Sequence, residues 1–255
     1  DSLPLWQQLQ AASTVLQTVL SGTSTTVALE RVPGAMRPGV QALVFAVLRS
    51  LGRAQALRKQ LAGRPPPPAA DALLCTALAL AWRDTDSPYE AYTLVNQAVE
   101  AAKRTPATRP QANFINACLR RFLRERDALV LATDDDPVAR WNHPAWWIAR
   151  VRRDYPTGWE AILAANNGHA PMTLRVNARQ TSRAAYLDAL TRSGIDACAA
   201  KVGVTDAPDG DAIILTNPVP VNALPGFDQG MVSVQDAAAQ LAAPLLLQRL
   251  DRTKP

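Results

Sequence analysis

With 255 residues, 48% of them apolar and 19% charged, the chain has the make-up of a globular protein with room for one large domain or two ordinary ones, and the composition excludes disorder. The net charge of +5 is not spread evenly: residues 1–130 hold 15 Lys/Arg against 9 Asp/Glu, residues 131–170 hold 4 against 5, and residues 171–255 hold 8 against 8. No stretch has the length and apolarity of a membrane span or a signal peptide, so a soluble, cytoplasmic protein is expected.

From Leu3 to Leu20, apolar residues recur at helical spacing (Leu5, Leu9, Ala12, Leu16, Val19, Leu20), and Ser21 to Ser24 break the pattern. Thr25 to Val32 predicts a short helix stopped by Pro33 and Gly34. Val40 to Leu61 predicts one long helix through Leu43, Val44, Val47, Leu48, Leu51 and Leu57, with Arg49, Arg53, Arg58 and Lys59 outside. Pro65 to Pro68 reads as a stiff polyproline corner. Ala70 to Trp82 is apolar nearly all round, the mark of a helix enclosed by others. Ser87 and Pro88 suit an N-cap and first turn for a helix from Tyr89 to Lys103.

The stretch Gln111 to Arg126, QANFINACLRRFLRER, divides cleanly when placed on a helix. Phe114, Ile115, Cys118, Leu119, Phe122 and Leu123 fill one half, while Arg120, Arg121 and Arg124 share the other with Asn113 and Ala117. Such a row fits phosphate oxygens, since arginine forks match them and a row tracks a backbone. It also fits an ordinary solvated flank. With no strand signal before residue 131, an all-helical bundle is expected over residues 1–131.

Asp134, Asp135, Asp136 and Pro137 predict an acidic, solvated linker within residues 132–144. Trp141, Trp146 and Trp147 then precede a short helix carrying Arg150, Arg152 and Arg153. Tryptophans among arginines can stack bases, but a cluster at a domain junction is read as packing. After a helix from Pro156 to Asn166 the period changes to two. Met172, Leu174 and Val176 alternate with Thr173, Arg175 and Asn177, as in a half-buried strand. Ser182 caps a helix from Arg183 to Arg192; Ile195 to Val202 and Ala212 to Leu215 are further strands, giving a small α/β unit over residues 145–224. Met231 to Val234 reads as one more strand, followed by a helix from Gln235 to Leu250, and residues 225–255 are set apart as the start of a further domain.

Candidate chemistry is sparse. Cys75, Cys118 and Cys198 are widely spaced without a C-x-x-C and are expected as reduced core residues. His143 and His169 suggest no metal site. The strings DACAA (196–200) and DAP (206–208) echo elements of RNA cytosine methyltransferases, yet only an isolated Gly203 follows the first, and Asp209 stands where a nucleophilic thiolate would follow the second. Both are read as coincidental, and no catalytic residue is assigned.

SPYEAYTLVNQAVEAAK followed by NFINACLRRF resembles the N-terminal module of the RsmB (Sun/Fmu) rRNA cytosine-5 methyltransferases, a helical domain similar to the NusB antitermination factor. NHPAWW, NNGHAPMTLRVN and LPGFDQGMVSVQDAAAQ resemble signatures of the segment that follows in the same proteins. The resemblance implies a NusB-like bundle, a small α/β domain and the first strand and helix of a methyltransferase domain, cut before the catalytic core. It implies small-subunit ribosomal RNA as partner and S-adenosylmethionine as cofactor of the whole enzyme, with none expected on this chain; no membrane, no metal and a monomer are expected. By carry-over, Arg120, Arg121 and Arg124 are candidate phosphate contacts, with Arg150 and Arg153 as further RNA contacts and Arg175 and Asn177 as inner ones. Gln235 and Asp236 would lie near the cofactor site, or else form a helix N-cap pair. An antitermination-type module without chemistry, or a protein-interaction bundle with solubilising arginines, are the alternatives.

Overall fold

The computed structural model describes residues 3–83, 89–200 and 211–248, and the chain divides into two compact units, Asp1–Gly168 and His169–Pro255. The first is helical: α1 (Leu5–Leu20), α2 (Thr25–Glu30), α3 (Arg37–Leu48), α4 (Leu51–Leu61), α5 (Pro68–Ala81), α6 (Ala91–Arg104), α7 (Ala112–Leu131), α8 (Pro137–Trp141), α9 (Ala145–Asp154) and α10 (Trp159–Asn167). The apolar run at 70–82 becomes α5, where Ala70 and every residue from Ala72 to Ala81 is buried. A helix without a polar stripe has to be enclosed, and α1, α3, α4, α6 and α7 pack around it. Pro68 opens α5 at the first position, where a missing N–H removes no helical bond. The expected Ser87 and Pro88 cap lies outside the described residues.

The periodic stretch expected as one helix is two. The chain breaks at Arg49 and Ser50, the latter with φ −130° and ψ 12°. Gly52 then runs so close to α8 that a Cβ there would lie 2.3 Å from the Val138 carbonyl oxygen. Asn142, in the left-handed region at φ 55°, bridges the break. Its Oδ1 accepts from the Gly52 N–H (2.7 Å), and its Nδ2 donates to the Leu48 carbonyl (2.9 Å) and to Asn167 Oδ1 (3.2 Å). Asparagine is one of the few residues with a side chain that visit this backbone region readily.

Arg53 also departs from expectation. It was expected on the outside, but only 5% of it is exposed. Its Nη1 reaches the Val130 carbonyl (3.1 Å), Thr133 Oγ1 (2.6 Å) and Asp134 Oδ1 (2.7 Å), and its guanidinium lies 5.2 Å from the centre of Trp82. A buried charge persists only with such partners. Asp134, half-exposed itself, is therefore tied to the bundle by this ion pair rather than lying in a free linker, and Asp136 caps α8 by accepting from the Val138 N–H at 2.9 Å. Through α8 the 132–144 stretch packs on α4.

The second unit holds β1 (Thr173–Val176), α11 (Arg183–Arg192), β2 (Ala197–Ala199), β3 (Ala212–Leu215), β4 (Val232–Val234) and α12 (Ala242–Gln248). The strands form one antiparallel sheet in the order β2-β3-β1-β4. Leu174 and Val176 join Ile213, Leu215, Val232, Leu224, and Tyr186 and Leu190 of α11 in the core, while Arg175 is exposed. Thr173, expected outward, is buried as well. Ser182 caps α11 through the Ala185 N–H (3.2 Å), and Gly194 ends it at φ +71°. The sequence sets residues 225 onward apart as a further domain, but Val234 pairs with Leu174 and Ser233 with Arg175, so β4 is an edge of this sheet. The helix expected from Gln235 begins later, after a 3-10 turn at Ala239–Leu241, and Leu250 lies outside the described residues. So do Lys201 and Val202 at the end of the expected second strand, and the DAP string. Cys75 and Cys118 are buried as expected, but Cys198 is exposed on β2, a three-residue edge strand.

Candidate nucleic-acid interface

The two faces of α7 follow its sequence. Ile115, Cys118, Leu119 and Phe122 are buried, and Arg120, Arg121 and Arg124 are exposed. Arg120 Nε donates to Asn116 Oδ1 (3.0 Å), and Arg121 pairs with Glu125 one turn on (3.0 Å). Exposed i,i+4 pairs of this kind are worth only tenths of a kcal/mol, so an incoming phosphate displaces them at little cost. The helix is kinked at Glu125 (φ −117°, ψ 17°); beyond it Arg126 is half-buried and paired with Asp127 at 4.0 Å.

A second basic set lies on α9. Ile148 and Val151 pack with Leu163 of α10 into a small core completed by Trp141, Trp147, Trp159 and Ile162. Trp141 meets Trp159 edge-on at 5.1 Å. Arg150, Arg152 and Arg153 are exposed on the outer side. The Arg152 guanidinium lies 5.6 Å from the Trp159 ring centre, and Arg153 pairs with Asp154 at 2.7 Å. That hydrogen bond from Arg153 holds the Asp154 carboxyl below the ordinary carboxylate range. The expectation that all three leading tryptophans pack is met by Trp141 and Trp147 and not by Trp146, which is 65% exposed.

In the second unit Arg175, Asn177, Arg179, Asp211, Gly230 and Ser233 line a cleft of about 490 Å³. Asn177 holds its rim together: Nδ2 donates to the Gly230 carbonyl (3.0 Å) and Oδ1 accepts from the Arg179 N–H (3.2 Å). Its carboxamide shapes the cleft, leaving Arg175 and Arg179 as the exposed cations. Sequence reasoning passed over Arg179; its signal was a position two residues past Asn177 in the polar turn that follows the strand. Gln235 is fixed by its main chain, donating to the Thr173 carbonyl (3.1 Å) and accepting from Gln240 Nε2 (3.1 Å). Asp236 Oδ1 accepts from the Ala238 and Ala239 N–H groups (2.8 and 3.3 Å), the capping role.

The candidate RNA contacts thus fall into three sets, on α7, on α9 and in the β1 cleft. His143 Nδ1 lies 2.6 Å from the Trp141 carbonyl oxygen, and among the described residues no group of three or more His, Cys, Asp or Glu is placed to hold a metal ion. No helix among them is long and apolar enough to cross a membrane.

Residues 6–124 match the NusB family, and residues 143–222 match the RsmF/B-like methyltransferase, ferredoxin-like domain. The chain is 38% identical over 245 residues to the ribosomal RNA small subunit methyltransferase B of Pseudomonas syringae pv. tomato, covering 92% of this chain and 52% of the relative. It is 35% identical over 240 residues to the protein of that name from Vibrio cholerae, covering 92% and 54%. The crystal structure of PH0851 superposes with a TM-score of 0.61 at 15% identity, over 96% of this chain and 56% of that one, which supports the fold. The chain spans about half the length of the curated relatives it matches. With a NusB region, a ferredoxin-like region after it and 38% identity to such a relative over 92% of its length, the chain belongs to the RsmB family, of which it represents the N-terminal part.

Proposed function

We propose that this chain is the RNA-binding N-terminal portion of an rRNA (cytosine-C5)-methyltransferase and positions small-subunit ribosomal RNA so that one cytosine is methylated. The observation that carries the reading is the row Arg120, Arg121 and Arg124, exposed on α7 opposite the residues that anchor the helix in the bundle. Guanidinium groups aligned on one face suit a phosphate backbone. Arg150 and Arg153 on α9 and Arg175 in the β1 cleft extend the contact set, with Asn177 shaping that cleft. The relatives' names support RNA as the partner. The target base has to be unstacked before its C5 can be reached, so a grip on the flanking backbone is the service such a module offers.

In the whole enzyme S-adenosylmethionine supplies the methyl group. At Gln235 and Asp236 the Asp236 carboxylate is engaged by the Ala238 and Ala239 N–H groups, while Gln235 is held through its main chain. On this reading the pair lies near the donor site of the whole enzyme. The other reading, a non-catalytic antitermination-type module, rests on the NusB match at 6–124 and leaves the ferredoxin-like half without a role.

The test is binding of a small-subunit rRNA fragment across a salt series. Changing Arg120, Arg121 and Arg124 together to Ala should weaken binding and flatten the dependence of log affinity on log salt, with the melting temperature unchanged. Equal affinity and slope in the triple variant would remove the α7 row from the interface.

A further inference from the structure

Trp146 is an anomaly the fold does not explain. Its neighbours Trp141, Trp147 and Trp159 are packed around Ile148, Val151 and Leu163, yet 65% of Trp146 is exposed. At about 100° per residue, Trp146, Arg150 and Arg153 lie within an arc of about 60° on α9. Ile148 and Val151 occupy the opposite side and are buried. The exposed face of α9 therefore carries one large aromatic ring with two guanidinium groups one and two turns further on. Trp147, half-buried against the small core, meets Trp146 edge-on at 5.6 Å and 74°, which braces the ring from one side.

From this juxtaposition we infer that Trp146 is a base-stacking platform for single-stranded RNA, with Arg150 and Arg153 taking the phosphates that flank the stacked base. The inference rests on the RNA-binding reading above and adds to it a residue that contacts a base rather than the backbone. An indole offers a π-face to any base, so the contact tolerates sequence, and the arginines supply the charge that brings the strand to it. A protein partner is less well matched: the rest of the arc is cationic, where a protein-binding patch would surround the ring with apolar side chains. Asp154 does not disqualify the face, since its exposed pair with Arg153 is of the kind that yields to a phosphate.

The experiment measures affinity of the chain for a single-stranded oligoribonucleotide of about 10 nucleotides and, separately, for inorganic polyphosphate, which has the charge without bases. Trp146→Ala should weaken oligoribonucleotide binding roughly tenfold, leave the salt slope and polyphosphate binding unchanged, and leave the melting temperature unchanged. Trp146→Phe should restore most of the affinity. Arg150→Ala with Arg153→Ala should reduce binding to both probes and flatten the slope. Wild-type oligoribonucleotide affinity in Trp146→Ala overturns the stacking role, as does an equal loss for polyphosphate. Absence of oligoribonucleotide binding by the wild-type chain overturns the RNA reading itself, a result distinct from either.

Discussion

Replacing Asn142 tests whether a single carboxamide joins the two halves of the α3–α4 break to α8. Asn142→Ala removes the bonds to the Gly52 N–H and the Leu48 carbonyl, both partly buried, and the bond to Asn167. The two main-chain bonds are worth about 1 kcal/mol each. Alanine in the left-handed region that Asn142 occupies at φ 55° adds about 1 kcal/mol more. The expected loss is ~3 kcal/mol, which for a unit of this size lowers the melting temperature by about 6–12 °C. Asn142→Gly keeps the backbone free to adopt that conformation and loses only the bonds, so ~2 kcal/mol is expected. Urea and thermal denaturation followed by circular dichroism measure both variants. If Asn142→Ala stays within about 0.5 kcal/mol of wild type, or if glycine is no milder than alanine, the junction does not work as described.

Two further outcomes follow from buried groups. Asp71 lies 2.9 Å from Arg58, but burial raises its pKa above the ordinary 3.8 more strongly than the guanidinium lowers it. The folded state then holds the proton more tightly than the unfolded one, so stability from this group is full below 3.8 and is lost as pH climbs through the raised pKa. Denaturation midpoints of Asp71→Asn relative to wild type should therefore improve as pH rises above 3.8, and a constant difference would show that Asp71 does not titrate in this way. Burial, with Asp71 nearby, also pushes the Cys75 thiol up to about 12, and Cys118 is buried and raised in the same direction by desolvation. Maleimide labelling of the native protein, mapped by mass spectrometry, should mark Cys198 and spare the other two until denaturant is added; rapid labelling of Cys75 would contradict its placement.

What could be read from the sequence was whatever a local pattern controls. The apolar run at 70–82 could only be an enclosed helix, and the alternation at Leu174, Arg175 and Val176 could only be a half-buried strand, and both are found. The break at Ser50 was invisible because Leu48 and Leu51 keep the helical rhythm across it, while the side chain that closes it is Asn142, about 90 positions away. Arg53 looked like a surface residue because the oxygens that receive it, on Val130 in the last turn of α7 and on Thr133 and Asp134 just past it, lie about 80 positions further along the chain. At the candidate interface the two faces of α7 followed from residue spacing alone. The exposure of Trp146 did not, since adjacent tryptophans at 146 and 147 project about 100° apart on a helix and only the fold decides which one the core takes.

The kink at Glu125 sets a limit on the α7 row. Past it the winding is reset and Arg126 turns to Asp127, so the exposed track stops after Arg120, Arg121 and Arg124. Each phosphate neutralised on a single strand contributes about 0.7 to the slope of log affinity against log salt, so three cations give a ceiling near 2 for this helix. A protein that loses affinity more steeply than that on adding salt has enlisted cations from other elements, and the excess counts them.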